Sequence, residues 1–168
     1  MQATQAVKQH ADSPGFESSV RFDENRIGAG AIYCSDGRYG EQIDDFLHNA
    51  LKLPRYDRFA LPGGAACLAG HILASRDEDA LLDQLRFLIR AHGLQRIVLI
   101  AHHNCAYYSE RLHVPPAQIE NRQREDLYAA AERIRSVARN LAIGTFFARR
   151  LPDGKVRFES WGVRNKGQ

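Results

Sequence analysis

Two cysteines and one histidine have the side chains and the positions of a metal site. His102 and Cys105 form a His-x-x-Cys motif that closes the apolar run 97–100, and Cys34 follows another apolar run, 29–33. Two thiolates and one imidazole are a good donor set for Zn²⁺, with a fourth position left for water or a carboxylate. We therefore predict a zinc site at these three residues. The alternative interpretation is that both cysteines are small buried hydrophobic residues and that the histidine is buried with its hydrogen bonds satisfied.

Asp36 and Arg38 belong to a Cys-x-Asp-x-Arg motif that begins at Cys34. A carboxylate beside zinc can ligate the metal or accept a hydrogen bond from its bound water. A guanidinium two residues away can keep that carboxylate ionised and oriented. Next to a metal site we interpret the pair as catalytic, and the alternative is an ordinary surface ion pair. The sequence leaves open whether Asp36 binds the metal at rest.

Four further residues are considered as possible parts of the site. His103 competes with His102 for the metal, but the spacing to the following cysteine favours His102. Gly63 and Gly64 form a loop that can bring backbone N–H groups close to a ligand, so we predict that they bind substrate. Cys67, in the Ala-rich segment after that loop, is predicted to be a buried structural cysteine.

The elements that must position these residues alternate between strands and helices. The hydrophobic pattern predicts strands at 28–33, 56–61, 97–100, 143–148 and 156–161, and helices at 43–51, 77–91 and 117–141. This order predicts a three-layer α/β fold with a mainly parallel central sheet, four parallel strands plus one antiparallel edge strand, and helices on both faces. If the strands before Cys34 and His102 are parallel neighbours, they end at the same edge of the sheet, and Cys34, His102 and Cys105 converge there.

Composition limits the class of protein. The 168 residues suffice for one domain, which we place at 28–168 after an N-terminal arm at 1–27. The net charge of +3 is too small to indicate binding of nucleic acid. No basic segment followed by an apolar one opens the chain, and no apolar run approaches the roughly 20 residues of a membrane span. We expect a cytoplasmic protein with no membrane partner, in which three cysteines indicate metal binding or catalysis before disulfides.

The two motifs resemble those of the β-class carbonic anhydrases. That family carries Cys-x-Asp-x-Arg after its first strand and His-x-x-Cys after its third, matched here by 34–38 and 102–105, and the resemblance extends over about 28–161. It implies zinc held by the three predicted ligands, an aspartate–arginine pair beside the metal, and reversible hydration of CO₂ to bicarbonate by zinc-bound hydroxide. It also implies an obligate homodimer in which the sheets of two subunits adjoin.

The sequence departs from the family pattern in three places. The family usually has Arg-Asn-Ala-Gly where this chain has Ala-Leu-Pro-Gly-Gly at 60–64, and Gly after the second zinc cysteine where this chain has Ala106. The arm at 1–27 is also short for the helices that embrace a partner in many members. Two alternative functions therefore stand beside CO₂ hydration. One is hydrolysis of a CO₂-like substrate, carbonyl sulfide or carbon disulfide, at the same site; the other is a non-catalytic zinc-binding or regulatory protein.

Overall fold

The computed structural model describes residues 15–162, and these residues form strands and helices in the predicted order. The elements are β1 (Ala29–Cys34), α1 (Gly40–Asp45), β2 (Asp57–Leu61), α2 (Ser75–His92), β3 (Arg96–His102), α3 (Ile119–Val137), β4 (Ala142–Arg150) and β5 (Val156–Ser160). Several bounds differ from the predicted ones by a few residues. The most useful difference is in β3, which extends two residues past its apolar run and ends on His102 itself.

The five strands form one sheet in the order β2-β1-β3-β4-β5. β1 pairs in parallel with both β2 and β3, β3 pairs in parallel with β4, and β5 is antiparallel to β4. The register places Cys34 beside Leu61 on β2 and places Tyr33 beside Ile100 on β3. The predicted fold class is therefore confirmed, and the ends of β1 and β3 lie next to each other at one edge of the sheet.

Helices cover both faces of the sheet, which explains why its central strands β1 and β3 are apolar except at the two end residues of β3. In β1, Ile32 packs into the core beneath α2 and α3, whereas Ala31 and Tyr33 pack into the core beneath α1. In β3, Leu99 and Ile100 divide between the same two cores. This alternation fixes which side chains reach the loops at the edge of the sheet, because a shift of one residue would exchange the two faces.

Three turns shape the connections between the strands and helices. Gly93 ends α2 with φ of +70°, the left-handed conformation typical of a residue that follows a helix. The segment Gly64–Leu68 after β2 forms a 3₁₀ turn, and Tyr107–Arg111 after β3 forms one turn of π-helix. The last two segments flank the predicted metal ligands.

The described part of the predicted arm, 15–27, contains no helix or strand. It exposes three large apolar side chains, Phe16, Val20 and Phe22, which are 93%, 78% and 89% accessible. The rest of the predicted arm lies outside the described residues, so the division into an arm and one domain stays a prediction. Within 15–162, none of the helices is long and apolar enough to cross a membrane.

Candidate metal centre

The three predicted ligands converge at the carboxyl edge of the sheet. β1 ends at Cys34 and β3 ends at His102. Asn104, with φ of +56°, then turns the chain so that Cys105 comes back toward the strand ends. One donor atom from each of the three ligands lies within 4.8 Å of the other two, and the two sulfur atoms are 3.7 Å apart. The structure therefore brings together residues that are up to 71 positions apart in sequence.

The ring of His102 presents one free nitrogen to this group. Its Nδ1 lies 3.0 Å from the backbone oxygen of His103. Because a carbonyl oxygen only accepts hydrogen bonds, Nδ1 must carry the proton. Nε2 is then unprotonated in the neutral ring, and it is buried with no hydrogen-bond partner among residues 15–162. A buried nitrogen lone pair without a donor is suited to a metal, and the Nδ1 hydrogen bond fixes the ring in the required tautomer.

The two thiols share one proton. The hydrogen bond from Cys105 lowers the pKa of Cys34 to about 4, and the neighbouring His102 ring and the backbone N–H of Gly63 act in the same direction. The same sulfur–sulfur hydrogen bond, together with burial, raises the pKa of Cys105. Both pKa shifts come chiefly from the one sulfur–sulfur hydrogen bond, so a cation that binds both sulfur atoms must displace its proton.

This donor group fits Zn²⁺. With Zn–S bonds of about 2.3 Å, tetrahedral coordination places two sulfur ligands about 3.8 Å apart, and the observed separation is 3.7 Å. Among the described residues, no fourth His, Cys, Asp or Glu joins the group. Three protein donors with one position open is the arrangement of catalytic zinc sites, whereas structural sites are closed by four.

Asp36 lies beside this group and is held by Arg38. The guanidinium donates from Nε to both carboxylate oxygens, at 2.9 and 3.1 Å, and from Nη2 to Oδ2 at 2.5 Å. The hydrogen bonds and charge of Arg38 lower the pKa of Asp36 to about 2, and Asp36 raises the pKa of Arg38. The carboxylate is therefore ionised at neutral pH, and it is not part of the three-residue donor group.

The Gly63-Gly64 loop packs tightly against both segments that carry the thiols. Gly63 has φ of +81° and Gly64 has φ of +55°. A Cβ on Gly64 would lie 2.8 Å from the carbonyl carbon of Tyr33, and one on Gly63 would lie 2.5 Å from the ring of Tyr107. Backbone conformation and close packing both require glycine here. Binding of substrate by these two residues stays a prediction.

Two other residues considered from the sequence lie outside the donor group. The side chain of His103 lines a separate cavity of about 290 Å³ together with Arg38 and Arg150. Cys67 is buried as predicted, its thiol donates to the backbone oxygen of Pro62 at 3.3 Å, and burial raises its pKa to about 11. A neutral thiol with its own hydrogen bond is not poised to bind metal.

Three buried residues that bond to the segments of the site were not predicted from the sequence: Tyr39, Gln123 and Asp126. The ring of Tyr39 lies 4.4 Å from that of His102, and its hydroxyl donates to the backbone oxygen of His103 at 3.0 Å. Gln123 and Asp126 on α3 are buried. Both occupy positions that continue the apolar stripe of that helix, so polar residues on a buried face were the available signal.

Comparison with known proteins identifies the family. A family model described as "Putative carbonic anhydrase" matches residues 25–157. The chain belongs to this carbonic anhydrase family. The family match confirms the resemblance drawn from the two motifs, since both motifs lie within the matched range. No curated protein sequence matches the chain.

Solved carbonic anhydrase structures share the fold. The enzyme from Glaciozyma antarctica is 16% identical with a TM-score of 0.54, and the alignment covers 96% of each chain. The β-carbonic anhydrase isoform I of Trichomonas vaginalis is 14% identical with a TM-score of 0.50, covering 94% of this chain and 93% of that one. A tetrameric β-carbonic anhydrase from Sordaria macrospora is also 14% identical with a TM-score of 0.50, covering 96% and 93%. At such low identity, the likeness supports the fold and nothing finer.

Proposed function

We propose that this carbonic anhydrase family member catalyses the reversible hydration of CO₂ to bicarbonate, with zinc held by Cys34, His102 and Cys105. The observation that carries the proposal is the donor group itself, whose atoms converge within 4.8 Å at the edge of a carbonic anhydrase fold. A zinc ion with an open position supplies a nucleophile at neutral pH, since it lowers the pKa of water to about 7. The residues around it are proposed to orient the water, accept its proton and stabilise the product.

Asp36 is the proposed acid–base and orienting group. Its carboxylate is ionised at neutral pH and acceptor-only, so it can take a hydrogen bond or a proton from the attacking water. Arg38 is proposed to fix its direction, because the guanidinium engages both oxygens and Nη2 approaches Oδ2 to 2.5 Å. In the structure the arginine holds the carboxylate, which supports a resting state in which Asp36 leaves the fourth metal position open.

Gly63 and Gly64 are proposed to contribute at the substrate side. The Gly63 backbone N–H interacts with the Cys34 sulfur, which places this loop next to the metal group. A loop that close can stabilise negative charge that develops on bicarbonate oxygens. The ring of Tyr107 packs against Gly63 and occupies space next to the loop. The size of the substrate that fits there is therefore a specific question for this chain.

A homo-oligomer is proposed as the working form. The related enzyme from Sordaria macrospora is tetrameric, and the exposed Phe16, Val20 and Phe22 of the arm provide apolar surface of the kind that subunit contacts cover. Light scattering should give a mass of twice 18.9 kDa or a higher multiple. We also propose a cytoplasmic location, which the three free cysteines support, because reducing compartments keep thiols unpaired.

The decisive experiment is stopped-flow CO₂ hydration by zinc-loaded protein, with metal content measured on the same samples. We expect about one zinc per chain and catalysis in the wild type, and loss of both in Cys34→Ser and Cys105→Ser, because a hydroxyl is a poor replacement for a thiolate. Cys67→Ser is the matched control and should keep both. A zinc-loaded wild type that does not hydrate CO₂ would overturn the proposal. Assays with carbonyl sulfide and carbon disulfide would then distinguish an enzyme that hydrolyses one of these substrates from a non-catalytic zinc protein.

A further inference from the structure

The first half of α3 carries two buried polar side chains on an otherwise apolar helix face. Gln123 is 1% exposed and Asp126 is 3% exposed. They are three residues apart and therefore neighbours on one side of the helix. The apolar part of the same face consists of Leu127, Ala130, Ala131 and Ile134. Polar groups buried in such surroundings need partners. The three partners lie on segments that carry the metal donors or pack against the end of β1.

Gln123 binds the backbone of a predicted ligand. Its Nε2 donates to the carbonyl oxygen of His102 across 2.9 Å, and both residues are buried. The carbonyl oxygen accepts only, so the amide nitrogen must face it and the orientation of the side chain is fixed. The last residue of β3 is thereby tied to α3, in addition to its place in the sheet.

Asp126 joins the two loops on either side of the donor group. Its Oδ2 accepts a hydrogen bond from the hydroxyl of Tyr108 at 2.8 Å and pairs with His71 Nε2 at 2.7 Å. Tyr108 follows Cys105 by three residues, and its N–H donates to the Cys105 oxygen at 3.1 Å. His71 follows the 3₁₀ turn Gly64–Leu68, whose first residue packs against the end of β1. One carboxylate thus connects the loop after Cys105 with the segment that packs against the end of β1, where Cys34 lies.

We propose that Gln123 and Asp126 are positioning residues that hold the three metal donors in place before the metal arrives. Loops left free would lose conformational freedom when their donors bind a metal. Attachment of both loops and of β3 to one helix removes part of this cost before binding, which should appear as metal affinity. The inference rests on the metal-binding part of the proposed function and not on the identity of the substrate.

The test compares zinc affinity in conservative variants. Gln123→Met keeps the size of the side chain and removes the donor, and Tyr108→Phe removes only the hydroxyl. Each should bind Zn²⁺ about 10–100-fold more weakly than the wild type, measured by competition with a chromophoric chelator while circular dichroism shows the metal-free proteins folded. The matched control is Glu78→Gln. It removes the charge from an ion pair between α2 and α3, in which Arg133 Nε lies 2.6 Å from the 7% exposed Glu78, and neither side chain bonds to a metal donor. It should leave zinc affinity unchanged.

Substitution with Co²⁺ gives a second readout that fold stability alone would not move. The visible absorption of a tetrahedral cobalt site with two sulfur ligands should weaken or shift in Gln123→Met and Tyr108→Phe and stay the same in Glu78→Gln. Folded variants with wild-type zinc affinity and cobalt spectra would overturn the inference, and so would an equal loss of affinity in Glu78→Gln. A wild type that binds zinc without hydrating CO₂ would overturn the proposed function alone, since the affinity comparison would still support the positioning role.

Discussion

The carboxylate of Asp36 accepts three hydrogen bonds from the guanidinium of Arg38, and Asp36 Oδ1 accepts another from the Arg38 backbone N–H at 3.1 Å. The arginine side chain is 74% exposed, whereas that of the aspartate is 16% exposed. An ion pair with so exposed a partner contributes little to stability. We therefore propose that the contact serves to orient Asp36 beside the metal group.

Loss of this orientation should reduce activity without loss of metal. In Arg38→Ala, Asp36 regains a pKa near the ordinary value of about 3.9 and stays ionised at neutral pH, so a fall in rate reports orientation and not charge. We expect CO₂ hydration to fall by about 10²–10⁴ in this variant and in Asp36→Asn, with zinc content nearly unchanged. Arg122→Ala is the control, because it removes an exposed ion pair on α3 with no link to the metal. Wild-type rates in both Arg38→Ala and Asp36→Asn would show that the aspartate–arginine pair is only a surface ion pair.

His102 and His103 should differ sharply in their effect on metal binding. His102→Ala removes the buried Nε2 of the donor group and should abolish zinc binding, while His103→Ala should leave it nearly intact. Atomic absorption on both purified variants provides the measurement. Equal zinc loss in the two would show that the ligand assignment fails, and zinc loss in His103→Ala alone would move the ligand to His103.

Zinc affinity should rise with pH. The shared sulfur–sulfur hydrogen bond raises the pKa of Cys105, so this thiol keeps its proton at neutral pH until metal displaces it. Higher pH favours proton release, and each proton released increases apparent affinity about tenfold per pH unit. Chelator competition between about pH 6 and pH 8, corrected for the chelator's own titration, should give this slope in the wild type and in Cys67→Ser. An affinity independent of pH would mean that both ligand thiols are already deprotonated.

Gly64 should be intolerant of any side chain. An alanine Cβ would lie 2.8 Å from the Tyr33 carbonyl carbon at a backbone φ of +55°, and left-handed strain with overpacking should lower the free energy of unfolding by at least about 2 kcal/mol. Gly28→Ala is the control, because nothing lies within 4 Å of its added Cβ, and its effect should stay within about 0.5 kcal/mol. Urea unfolding of the metal-free proteins tests both, and equal stabilities would show that the loop can move away from β1.

The sequence by itself determined the architecture and the chemical composition of the site. Apolar runs separated by amphipathic helices allow few arrangements other than a parallel sheet with helices on both faces, because crossover connections are right-handed and short. Cys34, His102 and Cys105 follow two such runs, so they converge if those two strands are neighbours, and the strand order of the sheet meets that condition. Local periodicity and connection rules carry that information, and both can be read from neighbouring residues.

Tertiary structure alone decided how each group is oriented and supported. The tautomer of His102 depends on a hydrogen bond to the His103 carbonyl. Position 64 requires glycine because it packs against the backbone of β1 at Tyr33, 31 residues earlier, and the register of β1 with β2 sets that contact. Gln123 reaches His102 across 21 residues, and Asp126 reaches His71 across 55. Such partners are set by helix placement and strand register over the whole domain. A polar residue on a buried helix face signals only that some partner exists, not which one.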